Sequence, residues 1–288
     1  MLENRDLSVV VTGSSGYVGK RLVSDLRNQG YEVIEIDNGN PSNPIDLRNI
    51  SELRQIQLPP KYLLVHLAFP LPGRVNAIEF QRLANSINSN LVAVLNPIDT
   101  LFISSTAVYA LDGAESRKVS PWEIYGQLKM ESEVFFTKSF ANLTIFRPGT
   151  LVDADRDSMM MKFLKQMKNS RFPILPGNGK IIHPFTITGD LIQAITRWVR
   201  EGTSNEKIFD LVASNPLPLS ELCNYDRKSK KLFSIRIPLK LLRMTGSDKF
   251  PVFQISRWHF SALTYNFFRG APNIYNKDFL EYKDILKF

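Results

Sequence analysis

Val9-Val10-Val11-Thr12-Gly13-Ser14-Ser15-Gly16-Tyr17-Val18-Gly19 runs three β-branched residues straight into a loop with a glycine at every third position. The apolar run ending at Thr12 fits a strand buried on both faces. From Tyr17 the apolar residues Val18, Leu22, Val23 and Leu26 recur at helical spacing until Gly30 supplies a stop. The order is therefore strand, glycine turn, helix. Gly13 allows the tight reversal, Gly16 lets backbone approach an anion, and Gly19 lets helix and strand pack closely. Such a turn reads as a phosphate cradle at a helix N-terminus, although a glycine-rich turn between any strand and helix looks the same in isolation.

Working outward, Glu32-Val33-Ile34-Glu35-Ile36-Asp37 alternates polar and apolar residues and ends on an acid, roughly twenty residues beyond the glycines. A carboxylate there can accept both hydroxyls of an adenosine ribose and would repel a 2′-phosphate. Asp37 therefore favours NAD over NADP. After the loop Asn38 to Pro44, Asp46 suits either an adenine contact or a helix cap ahead of Ile50, Leu53 and Ile56. Lys61 to Phe69 is another apolar run of strand length, a helical pattern extends from about Glu79 to Leu95, and Thr100 to Ile103 is a fourth strand ending at Ser104-Ser105-Thr106. Strands alternating with helices imply a parallel sheet covered on both faces, with ligands at the carboxyl ends of its strands. Gly13, Asp37, Ala68 and Ser105 all lie at such ends.

Composition bounds the reading without choosing a function. A chain of 288 residues accommodates one large α/β domain, or a domain with a lobe. Hydrophobic residues at 43% and charged residues at 22% exclude a disordered chain. The net charge of +8 suits an anionic ligand, whether nucleotide, nucleic acid or acidic membrane surface. Cys223 is the only cysteine, which rules out an internal disulfide, and His66, His183 and His259 lack metal-ligand spacing, so no metal is expected. The start, Met1 to Asp6, has acidic residues and no signal-length apolar core, and no apolar stretch approaches membrane-spanning length. A cytoplasmic protein without stable membrane insertion is expected.

Pro121 to about Lys138 reads as a helix on which Tyr125 and Lys129, four apart, share a face. An ammonium near a phenol lowers its pKa towards working pH. Alone, such a pair reads as a solvated helix face; beside a glycine loop and a serine at a strand end it reads as a site.

At this point the chain resembles the extended short-chain dehydrogenase/reductases, the group of nucleotide-sugar epimerases and dehydratases. The resemblance rests on Thr12 to Gly19, Asp37, Asp46-Leu47, His66-Leu67-Ala68, Ser104 to Tyr109, Tyr125 to Lys129 and Arg147-Pro148-Gly149, and covers about residues 7 to 215. It implies a Rossmann-type doubly wound parallel sheet with a smaller interleaved C-terminal substrate lobe. Residues 1–150 and 181–214 would form the NAD domain; residues 151–180 and 215–288 would form the lobe. Tyr125 takes the place of the family's acid/base, Lys129 that of the nicotinamide-ribose holder, and Ser105 that of the hydroxyl partner, with Thr106 as its adjacent substitute and a substrate contact. The cofactor positions implied are Gly13, Ser15, Gly16, Tyr17, Val18, Asp37, Asp46, Leu47, Leu67, Ala68, Phe69, Asn85 and Pro148, besides Tyr125 and Lys129. Gly149 and Arg236 are substrate positions.

The family's reactions divide on neighbouring residues. Dehydratases follow the hydroxyl residue with an acidic pair, whereas this chain has Thr106-Ala107, which argues against dehydration. An epimerase of a nucleoside-diphosphate sugar, acting at C4 through a transient 4-keto sugar, needs only the triad and tightly held NAD. A 4-keto-sugar reductase needs the same triad with exchangeable, commonly phosphorylated cofactor, which Asp37 disfavours. A non-catalytic NAD-binding or nucleic-acid-binding relative is the third reading, and retention of the whole triad counts against it. Departures are a short loop Ala110 to Val119, Ala110 in place of glycine, and Asn49 in place of a second acid.

Further along, Leu151 to Arg171 reads as one amphipathic helix serving as core or pocket wall. Phe172 to Lys180 resembles the family's substrate-lobe loop, His183 to Leu191 a return to the first domain, and Ile208 to Val212 a further strand. The basic stretch Arg227 to Lys249 suits a solvated face, a substrate diphosphate or an acidic membrane. Arg236 sits in its alternating run Phe233 to Ile237. The aromatic-rich end, Trp258 to Tyr282, packs against the lobe or covers the pocket. A homodimer through the helices near Glu79 to Leu95 and Glu123 to Lys138 is a further expectation of the resemblance.

Overall fold

The computed structural model describes residues 7–70, 76–111, 121–153, 155, 159–170 and 172–222, with the short segments 235–237, 249–250, 255–256 and 280–281. The loop 112–119, Cys223, His259 and most of the basic and aromatic stretches of the C-terminal part lie outside the described residues, as do Met1 to Asp6.

Strands β1 (Ser8–Thr12), β2 (Val33–Ile36), β3 (Tyr62–His66), β4 (Asp99–Ile103), β5 (Leu143–Pro148) and β9 (Ile208–Leu211) form one parallel sheet in the order β2-β1-β3-β4-β5-β9. The order reverses at β1: the chain steps from β1 out to β2, then crosses back to β3 on the other side. A crevice opens at such a reversal, at the carboxyl ends of β1 and β3.

Alternation in β1 explains why every one of its residues is buried. Val9 and Val11 pack with Leu22, Val23 and Leu26 of helix α1 (Tyr17–Asn28) and with Leu191, Ile195 and Trp198 of α6 (Thr188–Glu201). Val10 points the other way, to Ile87 and Leu91 of α3 (Ala77–Val94) and Phe136 of α4 (Pro121–Ser139). Parallel strands covered on both faces read as continuous apolar runs for this reason. A short helix α2 (Ile50–Leu53) is capped by Asn49, whose side chain accepts from Ser51 N, so the cap is Asn49 and not Asp46.

One predicted element divides. The stretch expected to be a single helix from Leu151 begins as strand β6 (Thr150–Val152), and helix α5 occupies only Met159–Asn169. Leu151 and Val152 pair in parallel with Thr186 and Ile187 of β8 (Phe185–Ile187), and that pairing overrides the helical periodicity. Beyond the main sheet, β7 (Ile174–Pro176) pairs in parallel with β10 (Ile235–Ile237), setting Arg236 opposite Leu175. The short helix α7 (Leu219–Leu222) and the antiparallel pair β11 (Lys249–Phe250) and β12 (Ile255–Ser256) complete the described elements. Among the described residues, no helix is long and apolar enough to cross a membrane, and no group of three or more His, Cys, Asp or Glu side chains is arranged to hold a metal ion.

Candidate active site

The glycine loop is fixed from both flanking strands: Gly13 N donates to Ile36 O of β2 and Leu67 N, just past β3, donates to Thr12 O, each at 3.1 Å. Gly13 has φ +75°, and a Cβ there would stand 2.7 Å from Ala68 N. At Gly19 a Cβ would stand 2.2 Å from Gly13 O, so only glycine lets α1 lie on the loop. Gly16, with φ −69°, is the N-cap of α1, which begins without a side-chain cap and without an acidic residue in its first turn. The helix start therefore carries no side-chain cap and no carboxylate of its own to compete with an anion, an arrangement that fits the pyrophosphate of a dinucleotide. The Tyr17 hydroxyl donates to Asp153 Oδ2 at 2.8 Å, and Arg21 pairs with the same carboxylate.

Asp37 is oriented by the loop it was expected to serve. Its carboxylate accepts from Ser15 Oγ, from Ser15 N at 3.4 Å and from Gly39 N at 2.6 Å. Asp46 instead holds Arg48, whose backbone N–H and guanidinium both donate to it, and that hydrogen bonding keeps its carboxyl below the ordinary range. Leu47 is buried in the core. Asn85 is exposed on α3, because the stripe Phe80, Ala84, Ile87 and Leu91 sets which face turns inward. The buried amide of α3 is Asn88, which donates to Ser132 Oγ at 2.8 Å.

The triad residues do meet. Gly126 brings them together: a Cβ there would stand 2.2 Å from Ala107 O, so α4 lies directly on the 3-10 turn Thr106–Leu111. That approach sets the Ser105 side chain against the Tyr125 phenol, where its hydrogen bond favours the phenolate. The Tyr125 ring is flanked by Phe69, edge-to-face at 5.7 Å, and Phe80, stacked at 6.5 Å. Lys129 Nζ donates to Ile103 O at 2.7 Å and lies 3.9 Å from the centre of the Phe69 ring and 5.9 Å from that of Tyr125.

The expected lowering of the Tyr125 phenol by Lys129 is not what this geometry produces. Burial pushes the phenol up and the Ser105 hydrogen bond only partly offsets it. Burial also pulls the Lys129 ammonium down to about 7, with Glu133 acting in the opposite sense. Both charged forms lose water together, and desolvation wins over attraction.

Of the remaining positions, Val18 is half-buried against the core, Pro148 is buried at the end of β5 opposite Leu211, and Arg236 is exposed. Gly149 N donates to Thr186 Oγ1 at 2.8 Å, and a Cβ there would stand 2.4 Å from Pro184 O, so backbone packing explains this glycine.

Sequence reasoning missed a buried polar chain behind the triad. Ser104 Oγ donates to Glu133 Oε1, and Arg147 grips both oxygens of Glu133, at 2.9 and 2.5 Å. Arg147 Nη1 donates to the Tyr109 hydroxyl at 2.8 Å, and that hydroxyl donates to Asp210 Oδ2 at 2.8 Å. Burial works against the Arg147 charge, but Glu133 outweighs it and the guanidinium is pushed up. Ser104, Tyr109 and Arg147 stand in the motifs of the resemblance and Glu133 four residues after Lys129, but nothing local marked Asp210 or joined them.

Residues 9–211, most of the chain, match the model of the NAD dependent epimerase/dehydratase family. The chain is 22% identical over 264 residues to Protein CapI of Staphylococcus aureus, covering 76% of each chain. The UDP-glucose 4-epimerase of Thermotoga maritima, crystallised with UDP-glucose, superposes with a TM-score of 0.54 at 16% identity, over 81% of this chain and 86% of that one. L-threonine dehydrogenase of Phytophthora infestans superposes with a TM-score of 0.67 at 14% identity, over 97% and 96%. At such identities the two structures speak for the fold alone.

Proposed function

The chain belongs to the NAD dependent epimerase/dehydratase family, enzymes of the extended short-chain dehydrogenase/reductase type, and from that premise we propose that it epimerises a nucleoside-diphosphate sugar at C4 through a transient 4-keto sugar. The observation that carries the reading is the hydrogen bond between Tyr125 and Ser105, with Lys129 one turn further along α4, at the strand ends that also carry the glycine loop. The name of a sequence relative, the putative UDP-glucose 4-epimerase of Methanocaldococcus jannaschii, 25% identical over 248 residues, supports the choice of C4.

The cofactor's fit rests on the uncapped start of α1, the close passage of Gly13 past Ala68, and the Asp37 carboxylate held at the end of β2. When bound, NAD supplies the acceptor and donor of the hydride. The protein's residues do the rest. Tyr125 takes the proton of the sugar hydroxyl at its phenol oxygen and later returns it, while Ser105 holds the reacting oxygen. Lys129 holds the nicotinamide ribose and, as a cation, favours the phenolate against the burial that opposes it. Phe69 and Phe80 flank the phenol ring and fix its orientation. Gly13, Ser15, Gly16, Tyr17, Val18, Leu67, Ala68 and Pro148 complete the cofactor's surroundings in this reading. Arg236 and Thr106 belong to the substrate side, and residues 151–180 and 215–288 make the substrate lobe. Exposed Ile78 on α3 and Val134 and Phe135 on α4 are consistent with a homodimer through those helices.

The test is to denature the purified protein, identify any released nucleotide, and incubate the native protein with a panel of nucleoside-diphosphate sugars. Released NAD and a C4 epimer, lost in Tyr125→Phe, are expected. Turnover unaffected by Tyr125→Phe would sink the mechanism. Reduction of a preformed 4-keto sugar by added cofactor, with nothing released on denaturation, would select the reductase alternative.

A further inference from the structure

We propose that Glu133 is a positioning residue of the site: its carboxylate, clamped by Arg147 and Ser104, holds the buried Lys129 ammonium in its charged form and so sets the upper pH limit of the tyrosine-lysine pair. The proposal rests on the reading of Tyr125 and Lys129 given above.

Lys129 and Glu133 are each 3% exposed and lie four apart on the sheet-facing side of α4. An ammonium so deeply buried is unfavourable unless something compensates its charge. The groups facing it can be taken element by element. From α4 come the Tyr125 phenol and the Glu133 carboxylate. From β3 comes His66, which burial and the Lys129 charge push down to about 3, leaving it neutral beside Thr12. From β4 come the Ile103 carbonyl and the Phe102 ring, and from the segment after β3 the Phe69 ring. Arg147 of β5 reaches the group only through Glu133. Among these described neighbours, Glu133 is the single carboxylate.

A simpler role for Glu133 would be to tie α4 to β5 through Arg147. The arrangement goes further than that. Arg147 is also linked through the Tyr109 hydroxyl to Asp210 on β9. The set therefore holds two cations, Lys129 and Arg147, and two carboxylates, Glu133 and Asp210, of which Lys129 and Glu133 are buried. Glu133 is ion-paired with Arg147, and from one turn along α4 its charge also favours the Lys129 ammonium.

The experiment reads the lysine itself. In the full-length, ligand-free protein with lysine labelled at 13Cε, the Lys129 resonance is identified by its loss in Lys129→Met and titrated by NMR. Glu133→Gln is expected to lower the Lys129 midpoint by about one pH unit, a tenfold loss of proton affinity. Because Glu133→Gln strands a buried guanidinium, the paired variant Glu133→Gln/Arg147→Gln is measured alongside it, and Glu133→Asp should recover much of the shift. Whichever variant folds, by circular dichroism, carries the test: a Glu133→Gln midpoint equal to that of the unsubstituted protein, or a paired-variant midpoint equal to that of Arg147→Gln alone, overturns the proposal. No substrate or turnover enters this readout, so its failure is distinct from failure of the proposed reaction. In turnover, the alkaline limb of the pH profile should move to lower pH by the same amount.

Discussion

Helices α6 and α4 cover opposite faces of the same sheet, yet what they bury differs in kind. The inward face of α6 carries Leu191, Ala194, Ile195, Trp198 and Val199, an apolar stripe that fills the space over β1 and its neighbours. That of α4 carries Lys129, Ser132 and Glu133 between Leu128 and Phe136, all nearly without exposure. Burying polar groups is unfavourable unless each is hydrogen-bonded, and here each is: Lys129 to Ile103, Ser132 to Leu128, Glu133 to Arg147 and Ser104. An apolar stripe holds a helix to the sheet by burial alone, whereas the polar stripe of α4 holds it through hydrogen bonds that must all be made.

The contrast breaks if a substitution on α4 acts chiefly on stability, or one on α6 chiefly on turnover. The largest expected effect is on Tyr125→Phe, which should reduce kcat by about 10²–10⁴-fold with an unchanged thermal midpoint, since the ring packing with Phe69 and Phe80 is kept. Steady-state kinetics beside a melting curve would check both halves.

On α6, Trp198→Ala should destabilise by about 3–5 kcal/mol, as it empties a fully buried site and removes the indole's hydrogen bond to Thr144. Urea unfolding measures this. Turnover per folded molecule well below the melting temperature should hardly change, and a large fall would erase the contrast.

Lys129→Met sharpens the comparison from the other side. Replacing a buried ammonium by an apolar chain of similar length should stabilise the protein by about 1–3 kcal/mol at pH 7 while turnover is lost. The sign follows from linkage: the folded-state pKa is pulled down to about 7 from 10.5, so between these values the unfolded chain binds the extra proton. Stability of the unsubstituted protein therefore rises across that window relative to the variant, and the gap is full only below about pH 7. Melting temperatures taken from pH 6 to 10 would show the two curves converging; parallel curves would contradict it. The smallest effect is expected of Asp37→Ala, at the other end of the crevice, with NAD affinity lower by about tenfold, or ~1.4 kcal/mol, and discrimination against NADP relaxed. Calorimetric titration with both dinucleotides reads it.

Legibility followed how local the cause is. The glycine loop could be read because Gly13 and Gly19 are required by contacts within one strand-turn-helix unit, and Asp37 because strand alternation places it. Tyr125 and Lys129 could be paired because helical spacing alone puts them on one face. On α3 such spacing does not say which face turns inward: Asn85 is exposed, and packing against the sheet chose Asn88 for the interior. Leu151 and Val152 became a strand because β8, more than thirty residues later, supplies the partner.

The α/β class, the glycine turn and the shared face of Tyr125 and Lys129 could all be read directly from the chain, since each depends on residues within a few turns of one another and on the fixed periods of helix and strand. Tertiary packing set Ser105 against Tyr125, because Gly126 admits α4 onto the turn that follows Ser105. It alone joined Glu133, Arg147, Tyr109 and Asp210, which lie on four different segments. And it decided the sign of the pKa shifts: spacing brings charges together, but burial sets whether attraction or lost hydration prevails.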